Sequence, residues 1–118
     1  MNILIVEDDQ VLSLMLKRMI EEIGHQIAGV AVSGQEAIRK ALSEECDLIL
    51  MDIMLLGQLD GIDAYRKICE QKHIPIIYTT GNSDQRNRER ARKIGYHDFL
   101  TKPISFKELK TSIEQLNS

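Results

Sequence analysis

The chain has no tryptophan, two cysteines and two prolines in 118 residues, and only 4% of it is aromatic. Cys46 and Cys69 form no CxxC pair and no Cys/His cluster of zinc spacing, which excludes the usual zinc and dithiol motifs. Both read as small hydrophobes, Cys46 just before a strand and Cys69 on a helix. His25, His73 and His97 are scattered without ligand spacing and are assigned no chemistry. The early apolar run is too short for a signal peptide or a membrane span, which points to a cytoplasmic protein with no membrane partner. Neither sign of charge dominates. The net charge of −3 argues against direct nucleic-acid binding. Acids stand where a nucleotide-binding fold would carry a glycine-rich phosphate loop after its first strand.

The length suits one domain, spanning residues 1–118, and buries enough surface to need no disulfide staples. Strand and helix patterns alternate five times. Residues 2–6 (NILIV) form a continuous apolar run, as expected of a strand buried on both faces. Val11, Leu12, Met15, Leu16, Met19, Ile20 and Ile23 recur at helical spacing, closed by Gly24. A weaker strand is expected over 27–32. Ser33 and Glu36 read as a capping box opening a helix to about Leu42. Residues 48–51 predict a third strand, 61–70 a third helix, and 76–79 a fourth strand. A fourth helix is expected from a cap at Ser83 or Asp84 to Gly95, then a strand over 97–100. A last helix is capped by Ser105, with Phe106, Leu109, Ile113 and Leu116 inward. Five βα units with right-handed crossovers imply an α/β fold: a parallel five-stranded sheet with helices on both faces.

Three of the apolar runs end in charge. Ile3–Val6 runs into Glu7, Asp8 and Asp9; Leu48–Met51 runs into Asp52; Phe99–Thr101 runs into Lys102 and Pro103. Charges at the ends of buried strands are costly unless they meet and share a ligand. In an open parallel sheet the carboxyl ends of the strands lie on one edge, where ligands bind. Bringing the acid-ended first and third strands together suits the flavodoxin-like order 2-1-3-4-5. Clustered carboxylates call for a hard cation such as Mg²⁺, Lys102 neutralises a further negative charge, and Thr80 offers a hydroxyl to a phosphoryl oxygen. A carboxylate beside such a cation and a lysine can also attack phosphorus and form an aspartyl phosphate.

Over its whole length the sequence closely resembles the receiver domain of bacterial two-component response regulators. The resemblance is carried by Glu7-Asp8, Asp52, Asp60-Gly61, Thr80 after Ile76-Ile77-Tyr78-Thr79, Gly95, Phe99 and Lys102-Pro103, in that order. It implies a phosphoacceptor at Asp52, fed by a sensor histidine kinase or phosphotransfer protein. It implies Mg²⁺, or Mn²⁺ in its place, held by Glu7, Asp8, Asp52 and the backbone carbonyl of Met54, with Asp9 a secondary candidate. Thr80 and Lys102 would bind the phosphoryl oxygens and Phe99 would be the switch aromatic. Two departures stand out. The loop Ile53–Gly61 has Leu56 where many relatives carry proline and reaches its Asp-Gly one residue later, and Gly81 follows Thr80 where alanine is commoner.

The expected function is a phosphorylation-controlled switch that changes its contacts with a downstream output protein or domain through the fourth helix, fifth strand and fifth helix. An enzyme acting on outside substrates is disfavoured, because aspartyl phosphatases usually need a second Asp two residues after the nucleophile and Met54 stands there. Arg86, Arg88, Arg90, Arg92 and Lys93 read either as a solvated helix face or as a basic docking surface bearing Arg86, Arg90 and Lys93.

Overall fold

A computed structural model describes residues 1–81 and 85–116. The elements alternate without exception: β1 (Asn2–Val6), α1 (Gln10–Ile23), β2 (Gln26–Ala31), α2 (Gly34–Ser43), β3 (Leu48–Asp52), α3 (Gly61–Cys69), β4 (Ile76–Thr80), α4 (Gln85–Ile94), β5 (Asp98–Thr101) and α5 (Phe106–Leu116). The strands pair in parallel in the order β2-β1-β3-β4-β5. The expected fold and order are both present. The cap expected at Ser83 or Asp84 lies outside the described residues.

Burial explains the strand patterns. β3 and β4 are buried at every position and β1 at all but Asn2, because each has a neighbour on both sides and helices above and below. β2 is an edge strand and is mostly half-buried, matching its weaker apolar pattern. Alternation along the strands divides the core in two. Leu4, Val6, Ile49, Met51, Ile76 and Tyr78 face the α2–α3 side with Ala37, Ile62 and Ile68. Ile3, Ile5, Leu48, Leu50 and Ile77 face α1 and α5 with Leu16, Ile20, Leu109 and Ile113.

The helix ends show where local signals were read well and where they were not. Gly24 closes α1 in the left-handed region at φ 109°, with His25 N–H donating to Ile20 O at 3.1 Å. Ser33 caps α2 by accepting from Glu36 N–H at 3.2 Å, but the Glu36 carboxylate lies 3.2 Å from Lys40 Nζ as an i,i+4 pair. The reciprocal capping box forms at α3. Asp63 N–H donates to Asp60 Oδ1 at 2.8 Å and Asp60 N–H donates to Asp63 Oδ2 at 3.3 Å. The apolar face of α1 is narrower than its sequence pattern suggested. Leu16 and Ile20 are buried, while Val11 is 70% exposed and Leu14 and Met15 are also open to solvent. A helix resting on a sheet hides a stripe, and Val11 and Met15, one turn apart, fall on its flank.

Gly61 fixes how α3 meets the sheet. Its N–H donates to Ile53 O at 2.8 Å. A Cβ added there would collide with the carbonyl oxygen of Asp52 and stand 3.0 Å from Ile53 Cα, both of them backbone atoms that cannot swing aside. Gly61→Ala is therefore expected to lower stability by about 1–3 kcal/mol, the range for forcing an extra carbon into a packed site. A urea titration at neutral pH checks this, and a loss under 0.5 kcal/mol would contradict the close approach.

Candidate functional site

The parallel register decides which charged ends meet. Val6 pairs with Met51, so Glu7 and Asp52 emerge side by side from β1 and β3. Asp52 pairs with Thr79, which puts Thr80 one residue further along the same edge. Thr80 pairs with Thr101, and Lys102 follows, its N–H donating to Thr80 O at 2.7 Å. The Lys102–Pro103 peptide bond is cis. Four strand ends thus deliver an acid pair, an acid, a threonine and a lysine to one place.

There the geometry is tight. Carboxylate oxygens of Glu7, Asp8 and Asp52 lie within 4.8 Å of one another. Lys102 Nζ donates to Asp52 Oδ2 at 2.8 Å and stands 3.1 Å from Glu7 Oε1. The other Asp52 oxygen, Oδ1, accepts from Met54 N–H at 3.1 Å. Glu7 is only 2% exposed and Asp52 3%, and Thr80 is buried beside them. Glu7 Oε2 accepts from Asp9 N–H at 3.1 Å, whereas Oε1 has its ion pair with Lys102 but no hydrogen bond of proper geometry. Asp9 is turned to a different task. It is the N-cap of α1, with Oδ1 accepting from Val11 N–H at 2.9 Å and Leu12 N–H at 3.2 Å, and it stands outside the three-carboxylate cluster.

The electrostatics follow from this crowding. Burial pushes the Glu7 carboxyl above its ordinary pKa; the Asp9 N–H pulls the other way, the Asp52 charge adds to the rise and Lys102 offsets part of it. Burial also works against the ammonium of Lys102, but its bond to Asp52 and its ion pair with Glu7 outweigh that and hold its pKa above the ordinary value. Three carboxylates against one ammonium leave an excess of negative charge where Glu7 and Asp52 are buried and Asp8 and Lys102 are half-buried. Hard oxygen donors, one of them a buried atom lacking a hydrogen bond, fit a divalent cation of the Mg²⁺ type.

Phe99 lies away from the acids, on the α3–α4 face of β5. It pairs with Tyr78 in register, their ring centroids 5.3 Å apart, and with Tyr96 at 5.1 Å. Tyr65 also meets Tyr78 edge-on at 6.1 Å. Tyr78 is wholly buried with its hydroxyl lacking a hydrogen bond, and burial pushes its pKa up. Thr80 shares this face by strand alternation, so a line of side chains runs from the acid cluster through Thr80 and Tyr78 to Phe99. Sequence reasoning singled out the ends of this line and missed Tyr78, whose only signal was its place two residues before Thr80 in a chain poor in aromatics. It also missed the far end of the departing loop, where Leu56 forms a parallel bridge with Ser33 at the start of α2.

An open parallel sheet with an acidic, lysine-bearing carboxyl edge defines the class as an α/β domain of flavodoxin-like topology. Residues 3–114 match the family described as response regulator receiver domain, and the chain belongs to that family. It is 38% identical over 113 residues to the transcriptional regulatory protein PdtaR of Mycobacterium tuberculosis, covering 96% of this chain and 55% of that protein. It is 36% identical over 115 residues to the transcriptional regulatory protein ResD of Bacillus subtilis, covering 98% of this chain and 47% of that protein. The chain thus spans about half the length of these curated relatives. Among solved structures it is similar to the receiver domain of a sensor histidine kinase from Pseudomonas aeruginosa PAO1, described with a magnesium ion coordinated in its active site cleft. That match has 34% identity and a TM-score of 0.87, over 99% of this chain and 98% of the other. Membership makes this a regulatory phosphoacceptor domain and implies phosphorylation-dependent signalling. Among the described residues no helix is long and apolar enough to cross a membrane.

Lys102→Met is expected to destabilise the metal-free protein by about 2–4 kcal/mol at pH 7.5, because it leaves two buried carboxylates facing each other. Glu7 has a raised pKa when folded, so its charged form opposes folding above that pKa and ceases to do so as it protonates. Without Lys102 the penalty is larger, so the gap between variant and wild type should shrink as pH falls toward 4.5. Urea titrations at both pH values test this; a gap independent of pH would mean that Lys102 acts by packing alone.

Proposed function

We propose that the chain is a phosphorylation-controlled switch in which Asp52 accepts a phosphoryl group from the phosphohistidine of a sensor histidine kinase or phosphotransfer protein. The observation that carries this reading is the junction of Glu7, Asp8 and Asp52 within 4.8 Å with Lys102 2.8 Å from Asp52 Oδ2. A carboxylate oxygen of Asp52 forms the new O–P bond as the P–N bond to the histidine ring breaks, and the bonding pair returns to the imidazole nitrogen. Glu7, Asp8, Asp52 and the carbonyl of Met54 would hold Mg²⁺, or Mn²⁺ in its place. The bound cation supplies positive charge to the phosphoryl oxygens during transfer. Lys102 pairs with another phosphoryl oxygen, and its flexible stem lets the ammonium move from the carboxylate to the phosphoryl group. The similar Pseudomonas domain, described with magnesium in its cleft, supports the metal assignment.

The signal leaves along the side-chain line already described. The Thr80 hydroxyl turns to a phosphoryl oxygen, and Phe99 turns into the space vacated on the same face. The surface of α4, β5 and α5 then presents itself differently to a downstream output protein or domain. A donor can approach over apolar ground. Val11, Leu14 and Met15 on α1, with Met54 and the 71% exposed Leu56 on the β3–α3 loop, lie toward the same carboxyl edge. On this reading the domain works in the cytoplasm, binds neither nucleic acid nor membrane, and turns over no outside substrate. Its whole span, 1–118, is one receiver domain.

Asp52→Asn should abolish the Mg²⁺-dependent gain of one phosphoryl group from acetyl phosphate. Intact mass measures it, and a wild-type gain in the variant would move the acceptor elsewhere. Asp8→Ala should weaken Mg²⁺ binding at least about tenfold, as loss of one carboxylate from a hard-cation site does. The metal-free variant should stay at least as heat-stable as wild type, since one member of a repelling cluster is gone. Unchanged Mg²⁺ affinity in a titration would remove Asp8 from the ligand set.

A further inference from the structure

α4 is attached to the rest of the protein unlike its neighbours. Ala91 is its only buried residue, and Ile94 adds a half-buried contact. Arginines supply much of what apolar burial does not. Arg90 Nη1 donates to Asp60 Oδ2 at 2.8 Å, and its Nη2 donates to Asp63 Oδ1 at 3.0 Å and to Asp60 Oδ1 at 3.3 Å. Asn87 Oδ1, one turn earlier on α4, accepts from the same Nη1 at 3.1 Å. Arg88 holds its guanidinium carbon 5.0 Å from the centre of the Phe99 ring.

What these arginines touch is the point. Asp60 is the last residue of the loop that leaves Asp52, and Gly61 beside it is pressed against the Asp52 carbonyl. The capping box of Asp60 and Asp63 fixes both acceptors before Arg90 arrives, so the fork meets a preformed carboxylate pair. Arg90 therefore ties α4 to the segment seated on the acid cluster, while Arg88 ties it to the aromatic at the far end of the Thr80 line.

We propose that Arg90 is a latch that holds α4 in its unphosphorylated position and sets the resistance against which phosphorylation works. The regulatory half rests on the assignment of Asp52 as acceptor. When Phe99 turns inward, its ring leaves the guanidinium of Arg88, and a movement of α4 away from α3 must then open the Arg90 fork to Asp60 and Asp63. A tie made in one state and lost in the other biases the equilibrium toward the first. Removing it must raise affinity for anything that binds the second, by linkage. Arg90 acts here through α4 and α3 as a positioning residue.

The test uses wild type, Arg90→Ala, Arg90→Lys and Asp63→Asn, read by hydrogen exchange across α4 and by beryllofluoride titration with Mg²⁺. In Arg90→Ala the α4 amides should exchange faster without the mimic, while α1 is unchanged. Beryllofluoride should bind roughly two- to fivefold tighter, the size an ion pair of this exposure supplies. Asp63→Asn, which leaves the Asp60 contact, should shift both readings less and in the same direction. Arg90→Lys, keeping charge but losing the fork, should fall between. Raising salt from 50 to 500 mM should speed α4 exchange in wild type more than in Arg90→Ala. Unchanged α4 exchange in Arg90→Ala would overturn the latch. Faster exchange with unchanged or weaker beryllofluoride binding would overturn its regulatory role and leave a structural tie. A wild type that binds no beryllofluoride would sink the Asp52 reading and the regulatory half with it, while the exchange arm would still decide whether Arg90 holds α4.

Discussion

The contact on which the site depends is the bridge from Lys102 to Asp52 and Glu7. The pairing of β1 with β3 forces these two carboxylates together, because Val6 and Met51 are partners and the chain continues straight from each. Two like charges about 4 Å apart repel by roughly 4 kcal/mol even at an effective dielectric of 20. No rearrangement of side chains escapes this, since both acids stand at the ends of buried strands. One ammonium at 2.8 and 3.1 Å offsets the repulsion, and it comes from the far edge strand, β5. The offset therefore requires β1, β3, β4 and β5 to be in place together. The remaining negative excess is what gives such a site its affinity for a divalent cation.

Much of this was legible in the sequence because the relevant signals are local. A strand buried on both faces is written as a short apolar run, and a run that ends in an acid is conspicuous. The adjacency of β1 and β3 followed from one physical demand, that acid-ended strands lie side by side, while the rest of the order was that of the flavodoxin-like fold that satisfies it. The helix pattern of α1 was legible only as an average. Its periodicity counted Val11 and Met15 among the residues at helical spacing, yet the sheet beneath it covers a narrower stripe. Asp9 was ambiguous for a similar reason: an acid after a strand end suits both a metal ligand and a helix cap, and only the bonds to Val11 and Leu12 show which task it performs.

What could not be read from sequence were pairings between distant segments. The basic run of α4 looked like a solvated face or a docking surface. Arg86, Arg92 and Lys93 are exposed, as a solvated face would be, but Arg90 is committed to Asp60 and Asp63 nearly thirty residues earlier and Arg88 lies over Phe99. Asp60 itself was recognised for the glycine that follows it, while its carboxylate serves both a capping box and the fork. Burial alone would raise its pKa, but the Arg90 bonds and the Asp63 N–H carry it below the ordinary value. Nor does any local pattern announce that four of the chain's five aromatic residues, Tyr65, Tyr78, Tyr96 and Phe99, gather against one face of β4 and β5.

The distribution of these forces sets α4 apart from the frame. β1, β3 and β4 are held by full burial of large aliphatic side chains, each contributing roughly 1.5–3 kcal/mol, and all must be lost together. Among the described contacts, those of α4 include one buried alanine, a half-buried isoleucine, an ion-paired fork and a guanidinium over a ring, of which the polar ties contribute about 1 kcal/mol or less each. A hydrogen bond from a hydroxyl to a charged phosphoryl oxygen is worth roughly 1.5–3 kcal/mol. That is too little to disturb the sheet and comparable with what keeps α4 in place. On the proposed reading, a site built on buried strands and joined to a lightly anchored helix turns a small chemical change into a change of surface.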